Sequence, residues 1–216
     1  MHAIGIETPI LIFAKAPEPG YTKTRLIPTL GAERAAALQC MLIAHALDTA
    51  LGADIGPVEL WCAPAAQHPA LAQYAGRRGI TLRSQCGGDL GMRMLHATRS
   101  ALEFHPRTII IGTDSPALTE ADLRSAAQAL DQRHDAVLIP AEDGGYVLIG
   151  LNRCDELLFD GLAWGGNQVM AMTRNRLATL AWRWQELRTL WDVDRPADYR
   201  RLLASGLLPE LTHAQR

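Results

Sequence analysis

The sequence has 216 residues, a formal net charge of −2 at pH 7 and a hydrophobic fraction of 48%. A chain of this length can bury a core large enough to fold without disulfides or a structural metal, and we expect a single domain over residues 1–216. Binding to a nucleic-acid backbone needs a clear excess of basic residues, so this charge argues against a nucleic-acid partner. A small anionic substrate needs only a local cluster of cations, which this composition allows.

The N-terminal apolar run, over residues 9–14, is far too short for a signal peptide or a membrane span. The four cysteines are scattered and form no CxxC pair, which favours reduced thiols over a zinc site. We therefore expect a cytoplasmic protein that is not inserted in a membrane. The sequence leaves the oligomeric state open.

Apolar runs of strand length alternate with amphipathic stretches of helix length along almost the whole chain. The predicted strands cover residues 10–14, 58–62, 80–83, 108–112, 136–140 and 146–149, with a short one near Leu187. The predicted helices cover residues 32–51, 70–76, 87–104, 119–133 and 168–178, with a last one from Pro196. This alternation predicts a single-domain, three-layer α/β/α fold with a mainly parallel sheet. Such sheets bind ligands in the crevice outside the carboxyl ends of their strands.

The loop after the first strand carries three cations, Lys15, Lys23 and Arg25, among prolines and a glycine. Lysine supplies a mobile point charge and arginine a planar fork, so this loop can wrap a phosphate chain. It is not a Walker A loop, and the chain has no GxGxxG motif at this strand. An exposed loop with solvated charges is the alternative, and the position directly after the first strand favours the phosphate-binding role.

Acidic residues follow two later strands. Asp114 stands in a tight turn after the strand at 108–112, where a carboxylate can hold Mg²⁺ or Mn²⁺ together with phosphate oxygens. A turn in which this aspartate only accepts bonds from backbone amides is the alternative. Asp192 and Asp194 lie on one side of an extended segment. Asp194 or Arg195 is also the expected cap of the last helix, because proline suits its first turn.

The turn after the strand at 136–140 pairs two acids with two glycines, over residues 142–145. Asp143 is the candidate for binding or deprotonating an acceptor hydroxyl, and the glycines would let the acceptor approach closely. An ordinary hairpin turn is the alternative. Trp164, which precedes two further glycines, is the candidate wall of the acceptor site.

A helix start at residues 87–91 offers a third element of a binding site. The glycines around Asp89 would let a ligand approach the backbone, and a helix N-terminus favours an anion or a base edge. We therefore expect Gly88 to Gly91 to hold a base or a ribose. Asp89 is alternatively the cap of this helix.

Taken in order, these segments resemble a family of bacterial proteins described as glycosyltransferase-A-type transferases of undefined substrate, the DUF2064 family of the nucleotide-diphospho-sugar transferase superfamily. The resemblance covers residues 10 to about 203. It is carried by residues 13–17 with Gly20, residues 23–26, Gln85 with residues 88–91 and Arg93-Met94, Gly112 with residues 114–116, Pro140 with residues 143–146 and 148–151, and residues 192–194.

The resemblance implies roles for individual residues. In such folds the aspartate after the central strand, here Asp114, binds the metal that bridges the diphosphate. Asp194, with Asp192 beside it, matches a second metal-binding acid of the related nucleotidyltransferases. The expected nucleotide-binding part covers about residues 9–118, and its candidate residues are Ala14, Lys15, Lys23, Arg25, Gln85, Gly88, Asp89, Gly91 and Asp114. The expected acceptor-binding part covers about residues 119–205, and its candidates are Asp143, Gly144, Gly145, Tyr146 and Trp164.

The leading hypothesis is a metal-dependent transferase, with Mg²⁺ or Mn²⁺ as cofactor, that moves a sugar from a nucleotide sugar to a small-molecule acceptor. Lys23 and Arg25 would neutralise the charge on phosphate oxygens, and Asp143 would act on the acceptor. The alternative is nucleotidyl transfer to a sugar phosphate or phospho-acid, since residues 23–26 are similar to a motif in guanylyltransferases that activate phospho-lactate. A third hypothesis is a nucleotide-binding regulatory domain without turnover.

Overall fold

The computed structural model describes residues 7–74, 80–209 and 211. The strands are β1 (Ile10–Lys15), β2 (Val58–Ala63), β3 (Thr81–Ser84), β4 (Thr108–Ile111), β5 (Ala136–Pro140), β6 (Tyr146–Leu151) and β7 (Trp184–Glu186). The α-helices are α1 (Ile27–Leu30), α2 (Ala32–Ala53), α3 (Pro69–Ala72), α4 (Leu90–Leu102), α5 (Glu120–Asp131), α6 (Val169–Thr179) and α7 (Pro196–Ser205). Short 3₁₀ helices cover Thr24–Leu26 and Glu156–Leu158.

The described strands form one seven-stranded sheet in the order β3-β2-β1-β4-β6-β5-β7. Strand β6 runs antiparallel to both of its neighbours, β4 and β5, and the remaining pairs are parallel. The β5–β6 pair is the hairpin-like return expected from the double glycine. The six strands other than β6 therefore present their carboxyl ends at one edge of the sheet, where β6 begins.

Helices cover both faces of the sheet, which confirms the predicted three-layer α/β/α fold. Ile12 of β1 packs in a core cluster with Leu47 of α2 and Leu123 of α5. The next residue back, Leu11, packs on the other face in a cluster with Met94 of α4. Because successive strand residues point to opposite faces, a strand buried on both sides reads as the continuous apolar run seen in the sequence.

A third core cluster lies beyond the edge of the sheet and ties distant segments together. Its buried members are Leu26, Leu30, Leu38, Leu42, Trp191, Val193, Tyr199 and Leu202. They come from the 3₁₀ turn and α1 after β1, from α2, and from α7 and the segment that leads into it. Burying such side chains stabilises a fold by roughly 1.5–3 kcal/mol each. This cluster therefore fixes the cation-bearing loop against residues 191–193.

Several predicted boundaries shift in the structure. The segment after the first strand, expected as a loop, contains the 3₁₀ turn and runs into α1, which begins at Ile27. The helix predicted from residue 87 begins at Leu90, because the backbone only becomes helical after its cap, Asp89. Helix α3 is shorter than the predicted 70–76, and the end of that prediction lies outside the described residues. The strand expected near Leu187 ends one residue earlier, at Glu186.

Within the described ranges, α2 is long and apolar enough to cross a membrane on length and composition alone. Its Leu42, Ile43 and Leu47 are nonetheless buried in the core of the domain. A core helix of a globular domain meets the same criterion. The cytoplasmic location expected from the sequence stays a prediction.

Gly150 of β6 provides a test of how tightly the sheet is packed against α5. A Cβ at this position would lie 2.6 Å from Cγ1 of Val137 and 3.1 Å from Cδ1 of Leu130. We expect Gly150→Ala to lower the free energy of unfolding by about 1–3 kcal/mol through overpacking, measured by urea denaturation. Gly87→Ala is the matched control, because a Cβ there meets nothing within 4 Å. Equal stability of the two variants would contradict the described packing.

Candidate functional site

A cleft of about 1040 Å³ opens at the edge where the parallel strands end. Its wall includes residues that directly follow β1, β2, β3, β4 and β5, as expected for ligand sites in parallel sheets. The predicted site residues that line it are Ala14, Lys15, Lys23, Arg25, Gln85, Asp114, Asp143, Gly145, Tyr146, Trp164, Asp192 and Asp194. The fold thus brings most of the candidate residues into one cavity, while their roles remain predictions.

Lys23 forms a buried cross-link between three segments of this cleft. Its backbone adopts a left-handed conformation, with φ of 48°, and its side chain is only 4% exposed. The ammonium nitrogen Nζ lies 2.8 Å from Oδ1 of Asp114 and donates to the carbonyl oxygen of Val193 at 2.7 Å. A buried charge needs such partners, because its desolvation would otherwise be very costly. Lys23 therefore joins the loop after β1, the end of β4 and the segment before α7.

Asp114 is held by its neighbour Thr113 and by contacts that come from α2 and from the segment before α7. Thr113 donates its hydroxyl to Oδ1 of Asp114 at 3.1 Å and accepts a bond from Gln39 of α2 at 3.0 Å. The backbone N–H of Val193 donates to the carbonyl oxygen of Asp114 at 2.8 Å. Gln39 and Thr113 were not predicted. The signal in the sequence is Gln39 itself, a polar residue on the buried face of an otherwise apolar helix.

Arg25 forms an ion pair with Asp194 at the mouth of the cleft. The sequence left open whether Asp194 or Arg195 caps α7. In the structure, Oδ2 of Asp198 accepts bonds from the backbone N–H of Asp194 at 3.2 Å and from that of Arg195 at 2.7 Å. Arg195 occupies the N-cap position. The carboxylate of Asp194 is therefore not consumed by capping and faces the cations of the loop.

Asp192 carries the clearest electrostatic signature of the cleft. Burial, together with the negative charges of Asp143, Asp114 and Asp194, raises the pKa of its carboxyl group to about 6. A carboxyl group surrounded by other carboxylates resists ionisation, because like charges disfavour its charged form. This end of the cleft therefore carries negative charge that the neighbouring cations do not fully compensate.

The acidic residues suit a hard divalent cation, with one restriction. Within the described ranges, no group of three or more His, Cys, Asp or Glu side chains is arranged to hold a metal ion. Two of the three candidates, Asp114 and Asp194, are each paired with a basic side chain. Mg²⁺ typically takes one or two carboxylates and completes its shell with water and phosphate oxygens. The residues present fit a metal that binds together with a phosphorylated ligand.

The opposite side of the cleft is aromatic. Tyr146 and Trp164 meet edge to face, with ring centroids 6.4 Å apart, and burial raises the pKa of Tyr146. Oδ1 of Asp143 accepts a bond from the N–H of Gly145 at 2.9 Å, so the hairpin turn expected as an alternative is present. The other carboxylate oxygen remains for a ligand. A flat, partly apolar wall beside one acid could hold a ring that carries a hydroxyl group.

Gln85 and Arg93 form the wall at the end of β3. The side-chain amide of Gln85 donates to the carbonyl oxygen of Trp61 at 2.8 Å. Arg93, which reasoning from strand ends alone did not select, donates from Nε to the carbonyl oxygen of Gly88 at 3.0 Å and contacts Oε1 of Gln85 at 3.5 Å. This wall therefore presents a fixed amide and a guanidinium group to the cleft.

Four predicted site residues do not line the cleft: Gly88, Asp89, Gly91 and Gly144. Asp89 caps α4 by accepting a bond from the N–H of Met92 at 2.9 Å, which is the alternative left open by the sequence. Gly91 allows close packing, since a Cβ there would lie 2.4 Å from the carbonyl oxygen of Phe159. Gly144, with φ of 94°, is packed in a similar way, since a Cβ there would lie 2.1 Å from the carbonyl oxygen of Asn167.

Lys15 lines the cleft but also closes the loop on itself. Its Nζ donates to the carbonyl oxygen of Tyr21 at 2.6 Å. Glu18, at the middle of the loop, contacts Nε2 of His68 at 2.6 Å, which fixes the loop to the chain after β2. The loop that bears the cations is therefore held in place by its own polar contacts as well as by the third core cluster.

Comparison with known proteins gives this arrangement a family. The family model described as an uncharacterized protein conserved in bacteria (DUF2064) matches residues 46–166. The chain belongs to this family. A candidate nucleotide-diphospho-sugar transferase from Desulfovibrio desulfuricans G20 is 30% identical, with a TM-score of 0.81 over 93% of this chain and 90% of that one. A search of curated proteins gives no match.

More distant structures share the fold of the DUF2064 protein. A CMP-2-keto-3-deoxy-manno-octonic acid synthetase in complex with CTP is 13% identical, with a TM-score of 0.58 over 92% of this chain and 98% of that one. Rv0371c from Mycobacterium tuberculosis H37Rv in complex with manganese is 18% identical, with a TM-score of 0.53 over 92% and 99%. The chain therefore has the fold of nucleotide-utilising transferases.

The pKa of Asp192 predicts a pH-dependent stability. Because folding raises this pKa from 3.8 to about 6, the folded protein holds the proton more tightly than the unfolded chain. Ionised Asp192 therefore destabilises the fold fully above pH 6, and this cost fades as the pH falls towards 3.8. We expect Asp192→Asn to raise the free energy of unfolding by about 1 kcal/mol at pH 7.5, after allowance for solvent screening.

The measurement is the melting temperature of wild type and variant in EDTA, at pH 7.5 and at pH 4. The gain should be larger at pH 7.5. Asp160→Asn, at an exposed residue outside the cleft wall, serves as the control for the loss of one carboxylate. A gain that is equal at both pH values, or larger at pH 4, would contradict the described environment of Asp192.

Proposed function

We propose that this DUF2064 protein is a metal-dependent transferase that takes a glycosyl group from a nucleotide sugar to a small-molecule acceptor. The observation that carries the proposal is the interleaving of basic and acidic side chains at one end of the cleft, in the pairs Lys23–Asp114 and Arg25–Asp194. The candidate transferase from Desulfovibrio desulfuricans G20 supports the class of donor. The part over residues 9–118 would hold the nucleotide, and the part over residues 119–205 the acceptor.

The cations of the loop would act on the leaving diphosphate. Lys23 and Arg25 already meet carboxylates in the cleft, so they stand where a metal-bound diphosphate would lie. Their charge would stabilise the negative charge that develops on phosphate oxygens as the glycosyl bond breaks, an effect that is usually the largest in such chemistry. A metal held by Asp114, Asp194 and Asp192 would supply Lewis acidity to the same oxygens.

Asp143 would bind the acceptor hydroxyl and take its proton. Its Oδ1 is engaged by the N–H of Gly145, which fixes the carboxylate, and the second oxygen can accept a proton from a hydroxyl at hydrogen-bonding distance. Tyr146 and Trp164 would orient the acceptor ring beside it. The small residues Gly145 and Gly166, both in the cleft wall, leave room for that approach.

Nucleotidyl transfer to a phosphorylated acceptor, with release of pyrophosphate, is the second candidate. The positions of the candidate metal-binding acids along the chain favour it. Asp114 follows β4, whereas Asp192 and Asp194 follow β7, so the three acids do not form one contiguous motif. The cytidylyltransferase from Leptospira borgpetersenii is similar at 15% identity and a TM-score of 0.60, over 91% of this chain and 85% of that one.

The charges of the cleft favour glycosyl transfer over this second candidate. The basic side chains of the described cleft wall are Lys15, Lys23, Arg25 and Arg93. All four belong to β1, to the loop after it or to α4, whereas Asp143 lies at the acceptor end, with Asp192 near enough to interact with it electrostatically. The negative charge there would repel a phosphorylated acceptor, whereas it would not repel a neutral hydroxyl compound.

The first test is a ligand screen by thermal shift. UDP, GDP, CDP, their sugars and the four nucleoside triphosphates are each added at 1 mM with and without Mn²⁺. We expect one diphosphate or its sugar to raise the melting temperature of wild type in a metal-dependent way, because a ligand at 100 times its Kd stabilises by about 2.7 kcal/mol. Asp114→Asn should lose the metal-dependent part. A shift confined to a triphosphate would favour nucleotidyl transfer, and no shift with any nucleotide would contradict both candidates.

Asp143→Asn tests the acceptor side. With the donor found by the screen, we expect this variant to lower kcat by about 10²- to 10⁴-fold, the usual contribution of a general base, while the Kd of the donor stays within about twofold. Activity is followed as release of the nucleoside diphosphate. Glu142→Gln is the matched control, because the adjacent Glu142 pairs with Arg201 and does not line the cleft. Equal kcat values for Asp143→Asn and wild type would remove Asp143 from the mechanism.

A further inference from the structure

The two lysines of this protein have a notable distribution. The sequence contains 21 lysine and arginine residues, and Lys15 and Lys23 are its only lysines. Lys15 ends β1, Lys23 lies in the loop that follows, and both line the cleft. Lysine differs from arginine in carrying a compact point charge that can change partners readily, whereas the guanidinium fork favours fixed bidentate pairs. Both lysines of the chain therefore lie at this cleft, and all of its other lysine-or-arginine positions, including Arg25 and Arg93 of the cleft wall, are arginine.

The contacts of Lys23 bear directly on metal binding. Its Nζ lies 2.8 Å from Oδ1 of Asp114 and accounts for two of its three N–H groups with Asp114 and Val193. A divalent cation bound to the same oxygen, Oδ1, would lie within about 5 Å of this ammonium group, given metal–oxygen distances near 2.1 Å. Arg25 stands in the same relation to Asp194. Metal binding to these acids is thus opposed by two positive charges.

We propose that Lys23 and Arg25 suppress metal binding to the acid cluster until a phosphate-bearing ligand arrives, so that nucleotide and metal bind with positive coupling. The inference rests on the proposed function and specifies how its site is loaded. A diphosphate supplies the negative charge that both the metal and Lys23 can share. Lys23 then changes partner from carboxylate to phosphate, and Asp114 becomes available to the metal.

The physical basis is charge balance in a partly buried site. Lys23 is 4% exposed and Asp114 48% exposed, so their interaction is screened less than that of a surface pair. Coulomb repulsion between a divalent cation and an ammonium group is correspondingly strong when no anion lies between them. Coupling between two ligands is reciprocal. If bound nucleotide raises the affinity for metal by a given factor, bound metal raises the affinity for nucleotide by the same factor.

The experiment is a titration of the full-length protein with Mn²⁺, in which free Mn²⁺ is measured by electron paramagnetic resonance. Wild type, Lys23→Met and Lys15→Met are compared with Mn²⁺ alone and with 1 mM UDP, GDP, CDP or ADP. We expect wild type to bind Mn²⁺ weakly alone and at least tenfold more tightly with one diphosphate. Lys23→Met should bind Mn²⁺ alone at least tenfold more tightly than wild type, and the diphosphate should add little.

Lys15→Met is the matched control, because it removes the other lysine of the cleft wall, whose Nζ donates to the carbonyl oxygen of Tyr21. Its affinity for Mn²⁺ alone should stay close to that of wild type. The double variant Lys23→Met/Asp114→Asn should lose the gain, which assigns it to Asp114. If Lys23→Met does not fold by circular dichroism, Arg25→Met decides, since Arg25 is exposed, with an expected gain of about threefold.

The outcomes separate this inference from the proposed function. Mn²⁺ binding by Lys23→Met that equals or falls below that of wild type would overturn the inference and make Lys23 a residue that only positions Asp114. The inference would also be overturned if wild type binds a diphosphate but has the same affinity for Mn²⁺ with and without it. If Lys23→Met gains affinity for Mn²⁺ but no nucleotide binds either protein, suppression by Lys23 stands and the nucleotide-based function fails.

Discussion

The site depends on the buried ion pair between Lys23 and Asp114. A lysine at 4% exposure is tolerated only because a carboxylate and the carbonyl oxygen of Val193 receive its N–H groups. Through these two contacts one side chain joins the loop after β1, the end of β4 and the segment before α7. Removal of the Asp114 carboxylate would leave the buried charge of Lys23 without a counter-charge, so the segments that carry this pair are constrained to meet. The cleft owes its shape at this end to that constraint.

The sheet supplies the framework in which this pair can form. Strands β1 and β4 are neighbours and parallel, so the segments after them leave the same edge of the sheet side by side. The third core cluster then brings Leu26 and Val193 together beyond that edge. Apolar burial therefore provides the stability, and the ion pairs Lys23–Asp114 and Arg25–Asp194 lie where the proposed chemistry would take place. The aromatic wall of Tyr146 and Trp164 completes the cleft on the side of the antiparallel strand.

Much of the fold could be predicted because its signals are local. The run of isoleucines in β4 and the Thr119–Asp122 capping box of α5 both stand in the sequence as they do in the structure. The prediction of a ligand site at the strand ends needed only the alternation of strands and helices. The local signals leave a choice open where two roles share one pattern. Asp89 and Gly91 have the composition of a ligand loop, yet they cap and pack α4, because a helix start and a close backbone contact need the same residue types.

The sequence by itself determined the order of the strands along the chain, their burial and the residues that follow them, because periodicity and turn chemistry act over a few residues. Only the tertiary structure decided which cation meets which acid. Lys23 and Val193 are 170 positions apart, and no local pattern encodes a contact at that separation. The pairing follows from the strand order of the sheet and from the burial of the third core cluster. For the same reason the support of Asp114 by Gln39, and the strongly acidic surroundings of Asp192, emerge only when the chain is folded.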